Sequence, residues 1–114
     1  MRLELPYPPS TNRLWRSDRG GRPHLTEEAR RYKSAVRLRA LAAGHRKPIE
    51  GPVYVMLAVY RPLRRGDLDN RVKAVLDALR GVAFVDDDQV VGLTAFRHDD
   101  PDNPRIVADV EAAW

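Results

Sequence analysis

The chain has 114 residues, a formal net charge of +4, and a composition that is 43% hydrophobic and 32% charged. This length predicts one domain with a modest core, and no stretch approaches the length needed to span a membrane. There is no cysteine, which excludes disulfides, thiolate metal sites and cysteine nucleophiles and is typical of a reducing compartment. The first residues lack the apolar core of a secretory signal, so we expect a soluble, cytoplasmic protein.

The charge is divided unevenly along the chain. Residues 1–65 carry a net charge of +10, whereas residues 66–114 carry a net charge of −6. Such a division favours an anionic partner on one side of the molecule and a cation site on the other. A solvated surface whose two halves attract each other is the alternative interpretation.

The first half of the chain predicts a strand and a helix. Leu3 and Leu5 alternate with polar residues as in a short strand, which the proline-rich segment 6–9 ends. Thr26 is a helix N-cap, and Gly44 is the C′ residue after a helix that ends at about Ala43. The pattern buries five apolar positions, Ala29, Tyr32, Val36, Leu38 and Ala40, and leaves a basic face of Arg30, Arg31, Lys33, Arg37 and Arg39 outside. This face is interpreted as solvated, with DNA contact as the alternative.

The second half predicts three strands and a second helix. Residues 53–60 are almost continuously apolar and β-branched, which is typical of a central strand. A helix follows over residues 69–79, with Asn70, Lys73 and Asp77 on the side opposite its apolar stripe. Residues 89–96 and 105–110 are the last two strands. The sequence therefore predicts an α+β fold over residues 1–114, a single domain with one mixed β-sheet carrying two α-helices.

Two groups of acidic residues stand beside basic ones. Asp67 and Asp69 follow Arg64 and Arg65, and the cluster Asp86-Asp87-Asp88 comes about twenty residues later. Clustered carboxylates repel one another, and a hard divalent cation such as Mg²⁺ offsets that repulsion. Residues at i and i+2 share a face only in extended backbone, so Asp67 must precede the helix and Asp69 must begin it. The alternatives are an ordinary helix N-cap at Asp69 and an ordinary turn at the distant cluster.

Lys73 lies one helical turn after Asp69. Its ammonium is positioned either to contact a scissile phosphate or leaving oxygen, or to form an ion pair with Asp69 or Asp77. Carboxylates that hold a metal within a basic surface are typical of enzymes that cut phosphodiesters.

These residues together resemble the RusA family of Holliday junction endonucleases. The resemblance begins with the segment Leu5 to Arg13, which is similar to the family's Pro-Pro-Ser-x-Asn-Arg motif, and includes Ala29, Arg30 and Tyr32. It is most specific at residues 65–73, Arg-Gly-Asp-Leu-Asp-Asn-x-x-Lys. It continues at residues 77–79 and 86–90.

The resemblance implies a Mg²⁺-dependent homodimer, with Mn²⁺ as a substitute, that cuts symmetrically across four-way DNA junctions. It implies metal ligands at Asp67, Asp69 and Asp87, with Asp86 or Asp88 as alternates for the third, and a catalytic role for Lys73. It implies DNA contacts from the residues Ser10, Asn12, Arg13, Arg64, Arg65 and Asn70.

The reaction also bears on assembly. Two symmetric cuts need two sites, and a C₂ dimer of a chain with one site supplies both on one basic face. Two other activities stay open: a less selective nuclease for flaps or forks, and a junction-binding protein without catalysis.

Overall fold

A computed structural model describes residues 1–9, 15–17, 20–21, 23–62 and 68–114 of the chain. The elements are β1 (Arg2–Pro6), β2 (Trp15–Ser17), β3 (Pro23–Leu25), α1 (Glu27–Ala42), β4 (Val53–Arg61), α2 (Leu68–Leu79), a 3₁₀ turn (Asp87–Gln89), β5 (Val90–Asp99) and β6 (Arg105–Ala112). No helix in these ranges is long and apolar enough to cross a membrane.

Four strands form the main sheet in the order β1-β6-β4-β5. β6 is antiparallel to both β1 and β4, whereas β4 and β5 are parallel and are joined through α2. The sheet is therefore mixed, with β4 as an inner strand. The α+β fold with two helices on one mixed sheet is confirmed, as is the inner position of β4.

The core lies between one face of this sheet and the two helices. Along β4 the residues Val53, Val55, Leu57 and Val59 are buried, while the residues between them are more exposed. Leu3, Leu5, Ile106, Ala108 and Val110 continue the buried layer across β1 and β6, where Val36 and Val75 of the helices pack on it. The period of two in these strands thus separates a buried face from an outer face that bears no helix in the described segments.

The ends of α1 follow the sequence signals. The Thr26 hydroxyl accepts a hydrogen bond from the Ala29 amide at 3.1 Å. At the other end the amides of Gly44 and His45 donate to the carbonyls of Leu41 and Ala40, with Gly44 at a φ of 88°. This is the Schellman arrangement, and it requires the left-handed backbone that glycine adopts without strain.

Two assignments on α1 are wrong. Leu38, predicted to be buried, is 67% exposed because it lies away from the stripe formed by Ala29, Tyr32, Val36 and Ala40. Lys33, predicted on the solvated basic face, is half-buried against α2. A helical pattern read in isolation does not specify how wide the covered face will be, because that depends on the neighbouring helix.

The sequence also missed one structural unit. β2 and β3 form a separate antiparallel pair, with Trp15 opposite Leu25 and Ser17 opposite Pro23, in a part of the chain where the sequence analysis assigned no strand. Strands of three residues are too short to show a period of two.

Candidate active site

The predicted carboxylates and lysine meet at a pocket beside α2. The apolar stripe of this helix is buried, and its opposite side faces the 3₁₀ turn before β5. The pocket has a volume of about 420 Å³ and is lined by Asp69, Asn70, Val72, Lys73, Leu76, Asp77, Asp87 and Val90. Residues from two chain segments, one on α2 and one before β5, are therefore brought together.

Asp69 lies in the first turn of α2, one residue after the helix begins at Leu68. Its carboxylate is exposed and accepts a hydrogen bond from the Asn70 amide at 3.1 Å. The N-cap alternative for Asp69 is therefore wrong, since the residue is helical. Asn70 is half-buried and lines the same pocket.

The three consecutive aspartates have different environments. Asp86 caps the 3₁₀ turn, accepting from the Asp87 amide at 2.8 Å, and forms an ion pair with Arg80 at 3.3 Å. Asp87 follows it, is exposed, and lines the pocket. Asp88 is exposed and is not among the lining residues. The geometry therefore favours Asp87 as the member of this cluster that faces Asp69 and Lys73.

Gln89 explains why this turn is well defined. Its side-chain oxygen accepts from the amides of Val85 and Asp86, both at 2.7 Å, while its amide nitrogen donates to the carbonyls of Ile49 and Gly51, both at 2.8 Å. One side chain thus ties the acidic turn to the segment before β4. The sequence analysis gave Gln89 no role, although the capping pair of Asp86 and Gln89 was present in the sequence.

Lys73 contacts Asp77 one helical turn away. Its ammonium lies 3.8 Å from the Asp77 carboxylate, and the lysine side chain remains largely exposed. Lys73 therefore forms the ion pair with Asp77 that was one of the two predicted alternatives. Because the two groups are 3.8 Å apart and the ammonium is exposed, Lys73 stays accessible to a ligand in the pocket.

Asp77 is a pocket residue whose role the sequence did not reveal. Burial raises the pKa of its carboxyl group above the ordinary value, and Lys73 offsets part of that shift. One of its carboxylate oxygens, Oδ2, is buried without a hydrogen-bond partner among the described residues. The sequence placed Asp77 on the polar side of α2, one turn from Lys73, but it could not show that the second carboxylate oxygen is buried.

Lys33 of α1 adds a second cation beside the pocket. Its ammonium donates to the carbonyls of Asp77 and Arg80 at the end of α2. Burial lowers the pKa of this ammonium, and the nearby Arg37 adds to the shift. Lys33 therefore caps α2 at its negative end and fixes the two helices relative to each other.

The N-terminal proline-rich segment is held against both helices. The Tyr32 hydroxyl donates to the Pro6 carbonyl at 2.7 Å, and an Arg71 nitrogen donates to the Pro8 carbonyl at 3.2 Å. The Arg71 guanidinium also lies 5.1 Å from the centre of the Tyr7 ring. The segment that leads to the predicted DNA-binding residues is thus anchored on the helix that carries Asp69 and Lys73.

Several predicted site residues lie outside the described residues, namely Asp67, Ser10, Asn12, Arg13, Arg64 and Arg65. Within the described part of the chain, no group of three or more histidine, aspartate or glutamate side chains is arranged to hold a metal ion. Asp69 and Asp87 supply two exposed carboxylates at one pocket. This donor set fits Mg²⁺, which usually takes one or two carboxylates and keeps several waters.

The arrangement suits one class of chemistry. Carboxylates that fit a hard cation, together with a lysine ammonium, are suited to neutralising the charge of a phosphodiester under attack. An α+β domain with this pocket has the features of a metal-assisted phosphodiesterase.

Comparison with known proteins identifies the family. The family model described as Endodeoxyribonuclease RusA matches residues 6–111 of the chain. A protein of Shigella sonnei (strain Ss046) named crossover junction endodeoxyribonuclease RusA is 40% identical over 91 residues, which cover 78% of this chain and 75% of that protein. The protein of the same name from Escherichia coli (strain K12) has the same identity and coverage. That of Enterobacteria phage 82 is 38% identical over 91 residues.

The chain therefore belongs to the RusA endodeoxyribonuclease family, and it is a nuclease.

Proposed function

We propose that this protein is a Mg²⁺-dependent endonuclease that resolves four-way DNA junctions by paired, symmetric cuts, acting as a homodimer in DNA recombination and repair. The observation that carries the proposal is the pocket itself. Asp69 and Lys73 on α2 and Asp87 before β5 line one surface in a chain of the RusA family. The names of its relatives supply the substrate class, a crossover junction.

We assign the acidic side chains to the metal ion and the lysine to the phosphate. Asp69 and Asp87, with Asp67, hold the metal ion, for which Mn²⁺ substitutes because it takes the same oxygen ligands. When bound, Mg²⁺ supplies charge neutralisation at the phosphate and a water of lowered pKa. Lys73 contacts the phosphate or the leaving oxygen through its exposed ammonium, and Asp77 orients that ammonium from one turn away.

DNA binding is assigned to the segments on either side of the pocket. Ser10, Asn12 and Arg13 follow a segment that Arg71 and Tyr32 anchor to the helices, and Arg64 and Arg65 precede Asp67. Contacts of arginine with phosphates make affinity strongly dependent on salt and largely independent of sequence. Because its substrate is DNA, we assign the protein to the cytoplasm.

The test is a cleavage assay on a synthetic four-way junction with fixed arms, compared with a linear duplex of the same arm sequence, in Mg²⁺ or in EDTA. We expect paired nicks at symmetric positions that a ligase can reseal, only on the junction and only with Mg²⁺. Removal of the metal by EDTA should abolish cutting while junction binding persists.

Two other results of this assay would support a different function. Equal cutting of the junction and of flap or fork substrates would replace the proposal with a less selective branched-DNA nuclease. Tight, junction-specific binding with no cutting in Mg²⁺ or Mn²⁺ would replace it with a non-catalytic junction-binding protein.

A further inference from the structure

Gln89 is a half-buried residue whose side chain uses all of its hydrogen-bonding capacity. Its amide oxygen accepts from the amides of Val85 and Asp86. Its amide nitrogen donates to the carbonyls of Ile49 and Gly51. All four distances lie between 2.7 and 2.8 Å. A glutamine side chain can accept two hydrogen bonds and donate two, so this one is fully engaged within the protein.

The segment before β4, which accepts both bonds from the Gln89 nitrogen, is itself fixed. The Ile49 amide donates to the carbonyl of Ala83, a fully buried residue, at 2.8 Å. The Ala113 amide, just after β6, donates to the Pro52 carbonyl at 2.8 Å. The Gln89 side chain therefore joins the acidic turn to a part of the fold that the core and the end of β6 hold in place.

Asp87 lies inside the turn that these bonds close. Its amide donates to the Asp86 carboxylate at 2.8 Å, and its carbonyl accepts from the Val90 amide. The Gln89 amide also donates to the Asp86 carbonyl at 3.1 Å. Because the backbone is bonded on both sides of Asp87, its side chain reaches the pocket from a fixed point and varies only through its own rotamers.

The ion pair of Arg80 with Asp86 is the weaker contact of this turn. The two groups lie 3.3 Å apart, and more than half of each side chain is exposed. Exposed ion pairs of this kind contribute little. The hydrogen bonds of the half-buried Gln89 are therefore the stronger restraint on the position of the turn.

A magnesium ion makes the position of each carboxylate matter. Mg²⁺ binds oxygen ligands at about 2.0–2.1 Å in a nearly ideal octahedron. Asp69 lies on α2, whereas Asp87 lies in the 3₁₀ turn, so their relative position depends on how that turn is held. A ligand that is free to shift by about 1 Å is too loosely held for such a site.

We propose that Gln89 is a positioning residue for the metal ion, and that it holds the Asp87 carboxylate in place opposite Asp69 by fixing the turn against the segment before β4. This inference rests on the metal site of the proposed function and adds the residue that sets its geometry. Gln89 contacts neither the ion nor DNA, because its amide group is fully engaged, and it acts through the backbone of Asp86 and Asp87.

The first experiment measures the restraint in metal-free protein. Gln89→Met keeps the length of the side chain and removes its four hydrogen bonds. We expect the amides of Val85 and Asp86 to exchange their hydrogen at least tenfold faster, as measured by NMR, because they lose their acceptor. The Ile49 amide, which is bonded to the Ala83 carbonyl, should keep its protection and show that the change is local.

The second experiment measures the metal site. Calorimetric titration with Mn²⁺ should show 10- to 100-fold weaker binding to Gln89→Met, the usual effect of losing a residue that orients a metal ligand. The Mg²⁺ concentration for half-maximal junction cleavage should rise by a similar factor. Cleavage at saturating Mg²⁺ should return to within about threefold of the parent, because added metal compensates for weaker binding and cannot replace a group that acts on the reacting atoms.

Thr26→Ala is the matched control. It removes the hydrogen bond that caps α1, so it destabilises the fold at a place away from the acidic turn. Its Mn²⁺ affinity and Mg²⁺ requirement should stay within about twofold of the parent. Equal shifts in Thr26→Ala and Gln89→Met would mean that the effect follows general stability, and they would overturn the positioning role.

Gln89→Glu is the second variant, used if circular dichroism shows that Gln89→Met is unfolded. Glutamate keeps an oxygen to accept from Val85 and Asp86 but has no donor for the two carbonyls. Its added negative charge would by itself attract a cation, so weaker Mn²⁺ binding would come from the lost restraint and support the proposal. Unchanged or tighter binding would overturn it.

The outcomes separate this role from the proposed function. A parent that cuts junctions with Mg²⁺, together with a folded Gln89→Met that has an unchanged Mg²⁺ requirement, overturns the role of Gln89 and leaves the nuclease standing. A parent that neither binds Mn²⁺ nor cuts junctions with Mg²⁺ overturns both.

Discussion

Replacing Asp87 by asparagine tests the assignment of the pocket most directly. Asparagine keeps the size of the side chain and removes its charge, so the fold should be retained. The Asp87 side chain is exposed, so replacing its carboxylate by an amide should destabilise the folded state little. What should be lost is the ability to hold a metal ion in the pocket.

The expected magnitude follows from the role of such a ligand. A bound metal ion contributes several kcal/mol of transition-state stabilisation, and each 1.36 kcal/mol is a factor of ten in rate. If the variant forfeits about 3–4 kcal/mol of this, junction cleavage at saturating DNA should fall roughly 100- to 1,000-fold. Junction affinity, measured by gel shift in EDTA, should change less than about threefold, because phosphate contacts made elsewhere dominate it.

The neighbours of Asp87 are matched controls. Asp88→Asn alters an exposed carboxylate outside the pocket and should cleave within about twofold of the parent. Asp86→Asn keeps an N-cap acceptor but loses the half-exposed ion pair with Arg80. This variant should lose about 0.5 kcal/mol in free energy of unfolding, or about 2 °C in Tm. Its loss of cleavage should be much smaller than that of Asp87→Asn. Full activity of Asp87→Asn, or equal inactivity of Asp88→Asn, would refute the assignment.

Three further predictions concern Lys73, Asp77 and the pair of Arg61 and Asp99. Lys73→Ala should lower cleavage about 100-fold with junction binding in EDTA nearly unchanged, and an equal loss of binding would mean that Lys73 only anchors DNA. Burial raises the Asp77 pKa, so ionising this carboxyl group destabilises the folded state. The Tm of Asp77→Asn should therefore rise relative to the Tm of the parent as the pH increases from about 3 to 7. A difference in Tm that shrinks over this range would contradict the burial argument. Asp99→Ala removes a carboxylate that lies 2.8 Å from the buried Arg61 guanidinium, and it should lower the free energy of unfolding by about 1–2 kcal/mol in urea. Asp102→Ala in the neighbouring turn should lower it by almost nothing, and an equally small effect of Asp99→Ala would show that the pair contributes nothing.

Local sequence signals were sufficient for most of the elements. The Thr26 cap and Gly44 delimit α1 because capping depends on a few adjacent residues. The almost continuous apolar run of residues 53–60 predicted an inner strand. In the structure β4 pairs with β6 on one side and with β5 on the other. The spacing of Asn70, Lys73 and Asp77 correctly put them on one side of α2.

Other features depend on contacts between distant segments. Lys33 faces α2, and Leu38 is left in solvent, because the packing of the two helices decides which part of α1 is covered. Asp86, Asp87 and Asp88 are chemically identical in the sequence. Only the turn held by Gln89 distinguishes them, directing Asp86 to Arg80 and Asp87 to the pocket.

The sequence by itself determined the residue types of the candidate site and the helical face that carries half of it, because a charge pattern and a period of 3.6 are local properties. Only the tertiary structure decided that α2 and the turn before β5 meet at one pocket, and that β5 is the last strand of the main sheet among the described residues. Both depend on the parallel pairing of β4 with β5, a contact between segments more than thirty residues apart whose strand order no local pattern specifies.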